Sequence, residues 1–106
     1  MLRIAMVTVP ALLADIIRHG LKSRVERVVV TEFADLQHAL VRLREISPDV
    51  VIVGPSSQAA DASLIRKILP RAQVLTVTPD LAQLIDLDTG ERTAFTPDAL
   101  AERLRR

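Results

Sequence analysis

Hydroxyls and backbone donors gather at three places where predicted strands run out. These are Thr8–Val9–Pro10, then Gly54–Pro55–Ser56–Ser57, then Thr78–Pro79–Asp80. A short loop of small residues leading into a helix exposes backbone N–H groups, and with Ser56 or Ser57 beside them it could hold an anion. Stronger phosphate chemistry would need a glycine-rich loop or a nearby lysine, and the sequence around Gly54 has neither. A ligand crevice built here would be lined by Thr8, Pro10, Gly54, Pro55, Ser56, Ser57, Thr78 and Asp80. Asp80 and Asp15 are the acids the predicted elements bring near it. The crevice would serve a small-ligand binder or an enzyme, and the lack of a convergent acid, base or nucleophile pair among these residues is the main objection to it.

Other short motifs resolve into structure. Asp88–Thr89–Gly90 spells the triplet of the aspartic proteases, which are all-β; here it follows an α/β pattern and precedes a helix, with bulky Glu91 next. It reads as a turn in which Gly90 is free to take positive φ. Asp86-x-Asp88-x-Gly90 begins like a calcium loop, but the glycine and distal glutamate of an EF-hand are out of place. His19 and His38 read as surface helix residues. Arg18, Lys22 and Arg24, and again Arg103, Arg105 and Arg106, fall near predicted helix ends, where solvated cations complement the helix dipole. Among acids and histidines no metal-ligand spacing emerges, and no cofactor is expected.

Composition narrows the partners. The chain has 106 residues, 49% hydrophobic, which suits one ordinary domain over residues 1–106 with a modest core. There is no cysteine, which excludes disulfides, thiolate metal sites and thiol nucleophiles. The net charge is +1, from 14 basic and 13 acidic residues, which argues against a chain built for nucleic acid. Phe33 and Phe95 are the only aromatics, so base-stacking platforms are missing as well. No apolar run approaches the roughly 18 residues of a membrane span. The opening MLRIAMVTVP is a strand and not a signal peptide, so a cytoplasmic protein is expected.

The elements that must position these residues alternate. Strands are predicted at Leu2–Val9, Val25–Phe33, Asp49–Gly54 and Ala72–Thr78. Helices fill the gaps. The first opens at Pro10, placed at a first helical turn, with Leu12, Leu13, Ile16, Ile17 and Leu21 as its apolar stripe and Gly20 near its end. The second is capped by Asp35, carries Leu36, Leu40, Leu43 and Ile46, and stops at Pro48. The third, capped by Ser57 or Asp61, turns Leu64, Ile65, Ile68 and Leu69 inward and stops at Pro70. Such alternation implies a three-layer α/β/α fold, a doubly wound parallel sheet in the order 2-1-3-4. The last quarter breaks the rhythm. Four residues after the fourth strand cannot make a parallel crossover. Gln83–Leu87 must therefore turn back antiparallel or leave the sheet, an irregular β-excursion with a return strand at Arg92–Phe95. A final helix follows, capped by Thr96 with Pro97 in its first turn.

From Leu2 to Asp80 the chain resembles the receiver domain of bacterial response regulators. LRIAMVTVPALLADIIRHGL is similar to the receiver's opening strand and helix, SPDVVIV to the run into its phosphorylated aspartate, and AQVLTVTPD to its fourth strand and switch hydroxyl. The resemblance implies a signalling domain. It also implies that the chemistry is lost. Thr8 and Val9 stand where receivers hold Mg²⁺ with carboxylates, Gly54 stands at the phosphoacceptor aspartate, and no lysine follows Thr78. Mg²⁺ is a hard ion that needs oxygen ligands, and glycine cannot form an acyl phosphate. Thr78 alone matches. The expectation is a degenerate pseudo-receiver, non-enzymatic and acting through a protein partner.

Active receivers signal through their last helix–strand–helix face, and that is the region where this chain departs most. An irregular strand pair at a sheet edge invites pairing, so a homodimer is expected through Leu84, Ile85, Leu87 and Phe95 and the last helix. Two other readings are a small-ligand or nucleotide-binding module using the crevice, and the regulatory fragment of a longer transcriptional regulator.

Overall fold

Val50–Val53 is at most 3% exposed on all four residues, and the rest of the molecule is arranged around it. The computed structural model describes residues 1–55 and 59–105. In chain order the elements are β1 (Leu2–Val7), α1 (Ala11–Arg24), β2 (Val28–Phe33), α2 (Leu36–Ile46), β3 (Val50–Val53), α3 (Ala59–Ile68), β4 (Gln73–Val77), β5 (Gln83–Asp86), β6 (Arg92–Ala94) and α4 (Pro97–Leu104). They form one six-stranded sheet in the order β2-β1-β3-β4-β5-β6. The first four strands are parallel and the last two antiparallel. The expected order 2-1-3-4 is present. The tail after β4 is more regular than expected, a hairpin that extends the sheet.

Alternation along the strands feeds two cores. Ile4, Met6, Ile52, Leu75, Val77 and Leu84 meet Ala14, Ile17 and Leu21 of α1 and Leu100 and Ala101 of α4. Ala5, Val7, Val51, Val53 and Val74 meet Ala39 and Leu43 of α2 and Ala62 and Ile65 of α3. Each fully buried aliphatic side chain contributes about 1.5–3 kcal/mol, and β1 and β3 supply both cores at once. That is why their sequences are continuous apolar runs and not alternating ones. Among the described residues no helix is long and apolar enough to cross a membrane.

The termini of the elements differ from the sequence reading in informative ways. β1 stops at Val7, two residues early, because Thr8 takes φ 57°. Pro10 is the N-cap of α1 and not a residue of its first turn. Gly20 lies inside α1, where a Cβ would come within 2.3 Å of Pro97 Cβ; it lets α4 pack closely and does not end the helix. β2 starts at Val28, since Val25 closes α1 by donating to the Leu21 carbonyl. Asp35 caps α2 by accepting from the His38 N–H, and Thr96 caps α4 from the Ala99 N–H with Pro97 behind it, both as expected. Ser57 lies outside the described residues, and Asp61 falls in the first turn of α3. Leu12, Ile16 and Leu64 are 76%, 52% and 41% exposed, against the inward facing expected of them. The small Ala14 and Ala62 take the core-facing places instead, because close helix–sheet contact selects small residues there.

Candidate functional site

The C-terminal ends of β1, β3 and β4 meet the rim where a doubly wound sheet binds ligands. At the centre, the Gly54 N–H donates to the Val7 carbonyl at 2.8 Å, and the Thr8 N–H donates to the Phe33 carbonyl at 2.9 Å. Thr8 is β-branched, yet it sits in the left-handed region, a conformation such residues rarely take. Beyond it the backbone passes directly over Gly54. A Cβ at position 54 would lie 2.1 Å from the Thr8 carbonyl oxygen, 2.6 Å from its carbon and 3.0 Å from the Val9 nitrogen. The volume that a side chain on this strand end would occupy is therefore filled by main chain.

Thr78 is committed elsewhere. Its hydroxyl donates to Asp80 Oδ1 at 2.5 Å and accepts from the Gln83 N–H at 3.1 Å, while the Ala82 N–H donates to the same Asp80 oxygen at 3.0 Å. Leu81 takes φ 63° to close the turn. The Thr78 hydroxyl, then the Ala82 N–H and more weakly Arg92, hold the Asp80 carboxyl below the ordinary carboxylate range. Thr78 and Asp80 thus form a tied-off β4–β5 turn.

The predicted crevice is divided. Thr8 and Val9 are packed against Gly54. Thr8, Val9 and Pro10 also line a shallow cleft of about 440 Å³ that opens toward Glu32, Phe33 and Ala34 at the end of β2. Glu32 is ion-paired with Arg18, which also holds Asp15, so both acids are already partnered. Pro55 is half-buried at the start of the next loop, and Ser56 and Ser57 lie outside the described residues.

The predicted contact surface changes more. Leu84 and Phe95 are 1% and 5% exposed and belong to the chain's own core, so they cannot offer themselves to a partner. They alternate with outward residues on strands that α4 covers on one side. Ile85 is half-buried and Leu87 lies just beyond β5, 37% exposed.

Arg103 is the main surprise. It is not a solvated helix-end cation but is 9% exposed. Nη2 donates to Asp86 Oδ2 at 2.5 Å, and Nη1 donates to Thr93 Oγ1 at 3.3 Å and faces Glu91 Oε1 at 3.2 Å. The other Asp86 oxygen accepts from the Asp88 and Thr89 N–H groups. Arg103 thereby fastens α4 to the β5–β6 hairpin. Two signals were present in the sequence: Arg103 lies three residues beyond buried Leu100, and Asp86 two beyond buried Leu84.

No family model and no curated protein matches the chain. Among solved structures it is similar to the isolated REC domain of RcsB from Salmonella enterica serovar Typhimurium, determined in the presence of the phosphomimetic BeF3−. The TM-score is 0.60 at 24% identity, over 76% of this chain and 66% of that one. The chain thus spans slightly under two thirds of that structure's length. The likeness is one of fold: the order β2-β1-β3-β4 and the helices between these strands are like those of a receiver domain, and the antiparallel β5–β6 hairpin is added beyond them.

Proposed function

We propose that this chain is a receiver-like regulatory module that takes no phosphoryl group at the end of its third strand and acts by protein contact, not catalysis. The carrying observation is the Thr8 carbonyl standing where a side chain at position 54 would begin. A phosphoacceptor there needs space, oxygen ligands for Mg²⁺ and a cation for the phosphoryl charge. Backbone fills the space, and Thr8 and Val9 bring no carboxylate. The switch hydroxyl, Thr78, is bonded into its own turn. The receiver-like fold supports a signalling role, and the loss of the site supports a phosphorylation-independent one. The alternative of a small-ligand module would use the cleft at Thr8–Pro10, where Glu32 is held by Arg18.

Intact mass after incubation with acetyl phosphate and Mg²⁺ tests this. No phosphoryl adduct is expected. Gly54→Asp is expected to lose about 1–3 kcal/mol of stability through overpacking and still to take no adduct. A hydroxylamine-labile adduct on the native chain, or an Asp variant that is both stable and phosphorylated, would overturn the proposal.

A further inference from the structure

The strand order ends at β6, so among the described residues one side of Arg92–Ala94 has no neighbour within the sheet. The hydrogen bonds of the hairpin fix which residues face outward. The Glu91 carbonyl accepts from the Asp86 N–H, and the Phe95 N–H donates to the Ala82 carbonyl, both at 2.9 Å. In an antiparallel ladder this inward bonding alternates. Residues 91, 93 and 95 therefore bond to β5, while Arg92 and Ala94 turn their N–H and C=O groups away from it. The Ala94 carbonyl accepts from Thr96 at 2.9 Å and keeps a second lone pair.

We propose that β6 pairs antiparallel with β6 of a second copy, about a two-fold axis through Thr93, joining the two sheets into one. This register is singled out by charge and by bonding. It sets each Arg92 opposite the partner's Ala94, so both outward residues exchange N–H···O bonds with the second copy. Moving the axis to Arg92 would bring two guanidinium groups face to face. Moving it to Ala94 would oppose Arg92 to the partner's Thr96, which is already spent as the cap of α4. A charged edge strand normally repels foreign strands; here the charge is tolerated in one self-complementary arrangement.

The surroundings permit it. α4 holds the Thr93 side of the strand through Arg103, while Arg92 and Ala94 are exposed on the other face beside Ile85. The interface is thus relocated from Leu84 and Phe95 to the backbone of the edge itself.

The inference deepens the reading of a protein-contact module, and its failure is separable: a monomer would leave the filled site at Gly54 untouched. Sedimentation equilibrium of the native chain is expected to show dimer forming below about 1 mM, the weak end of specific association. Ala94→Glu places a carboxylate opposite the partner's Arg92 and is expected to tighten the dimer about fivefold to tenfold, since the pair occurs twice. Ala94→Lys is expected to weaken it by a similar factor, and adding Arg92→Glu to that variant is expected to restore it. Thermal unfolding of each variant as a cooperative transition confirms that the fold is intact. A native chain that stays monomeric throughout this range, or a dimer indifferent to the charge at position 94, would overturn the proposal.

Discussion

Gly54 shows how a single residue type permits a close passage of the backbone. Its left-handed neighbour Thr8 and its close approach to the first loop form one arrangement, since the loop can cross over position 54 only if nothing projects from it. The sequence shows that position 54 is a glycine; that main chain fills the space beside it is visible only in three dimensions. Thr78 is the counterpart. Its identity fits a receiver, but its partners make it a turn residue. The consequence for pH has a definite sign. The Asp80 carboxyl is depressed in the folded chain, chiefly by the Thr78 hydroxyl. The contribution of the ionised form is present above the unfolded carboxylate pKa and is lost as pH falls through the lower folded value. In Thr78→Val this contribution is expected to shrink, with Asp80 titrating at higher pH, closer to an ordinary aspartate, as read by the side-chain carboxyl shift in NMR.

Among the elements, α4 depends on three different kinds of contact. Gly20 admits Pro97 against α1, Leu100 and Ala101 enter the core, and Arg103 reaches the hairpin. Arg24 adds an ion pair to Asp98, and Arg105 donates to the Arg24 carbonyl at 2.6 Å. The Arg103–Asp86 pair is the one whose disruption has the clearest outcome. Removing one partner strands the other charge in a dry site. Arg103→Met is expected to lose about 3–5 kcal/mol in denaturant unfolding, and combining it with Asp86→Asn is expected to recover part of that loss because no buried charge remains. If the double variant were as unstable as the sum of the singles, the pair would not be coupled. The helix starts were the most legible features at this scale. Asp35 and Thr96 each precede an apolar periodicity at the spacing a capping bond requires, and each makes that bond locally.

Across the molecule, burial and pairing decline from β1 and β3 toward β6. β3 is buried on both faces and paired on both sides, while β6 is three residues long with exposed and half-buried side chains. Amide hydrogen exchange is expected to follow this gradient, slowest for β1 and β3 and faster by orders of magnitude for β6, unless a second copy covers it. Protection of the outward amides of Arg92 and Ala94 that rises with protein concentration would therefore report the dimer directly. The surface charges fit the near-zero net charge: Arg18, Arg24 and Arg66 each meet a carboxylate instead of forming a basic field.

The sequence by itself determined the elements, their alternation and the antiparallel return after the fourth strand. These follow from local periodicity, caps and loop lengths, and each is set by residues close together along the chain. It also determined that positions 8, 9 and 54 carry no carboxylate, because that is a matter of residue identity. Only the tertiary structure decided that the Thr8 carbonyl occupies the space over Gly54, that Leu84 and Phe95 face inward, and that Arg103 is buried against Asp86. Each of these is an encounter between distant segments. Helical or strand periodicity says that a residue has an inner side, but which neighbour awaits it there depends on how the layers stack.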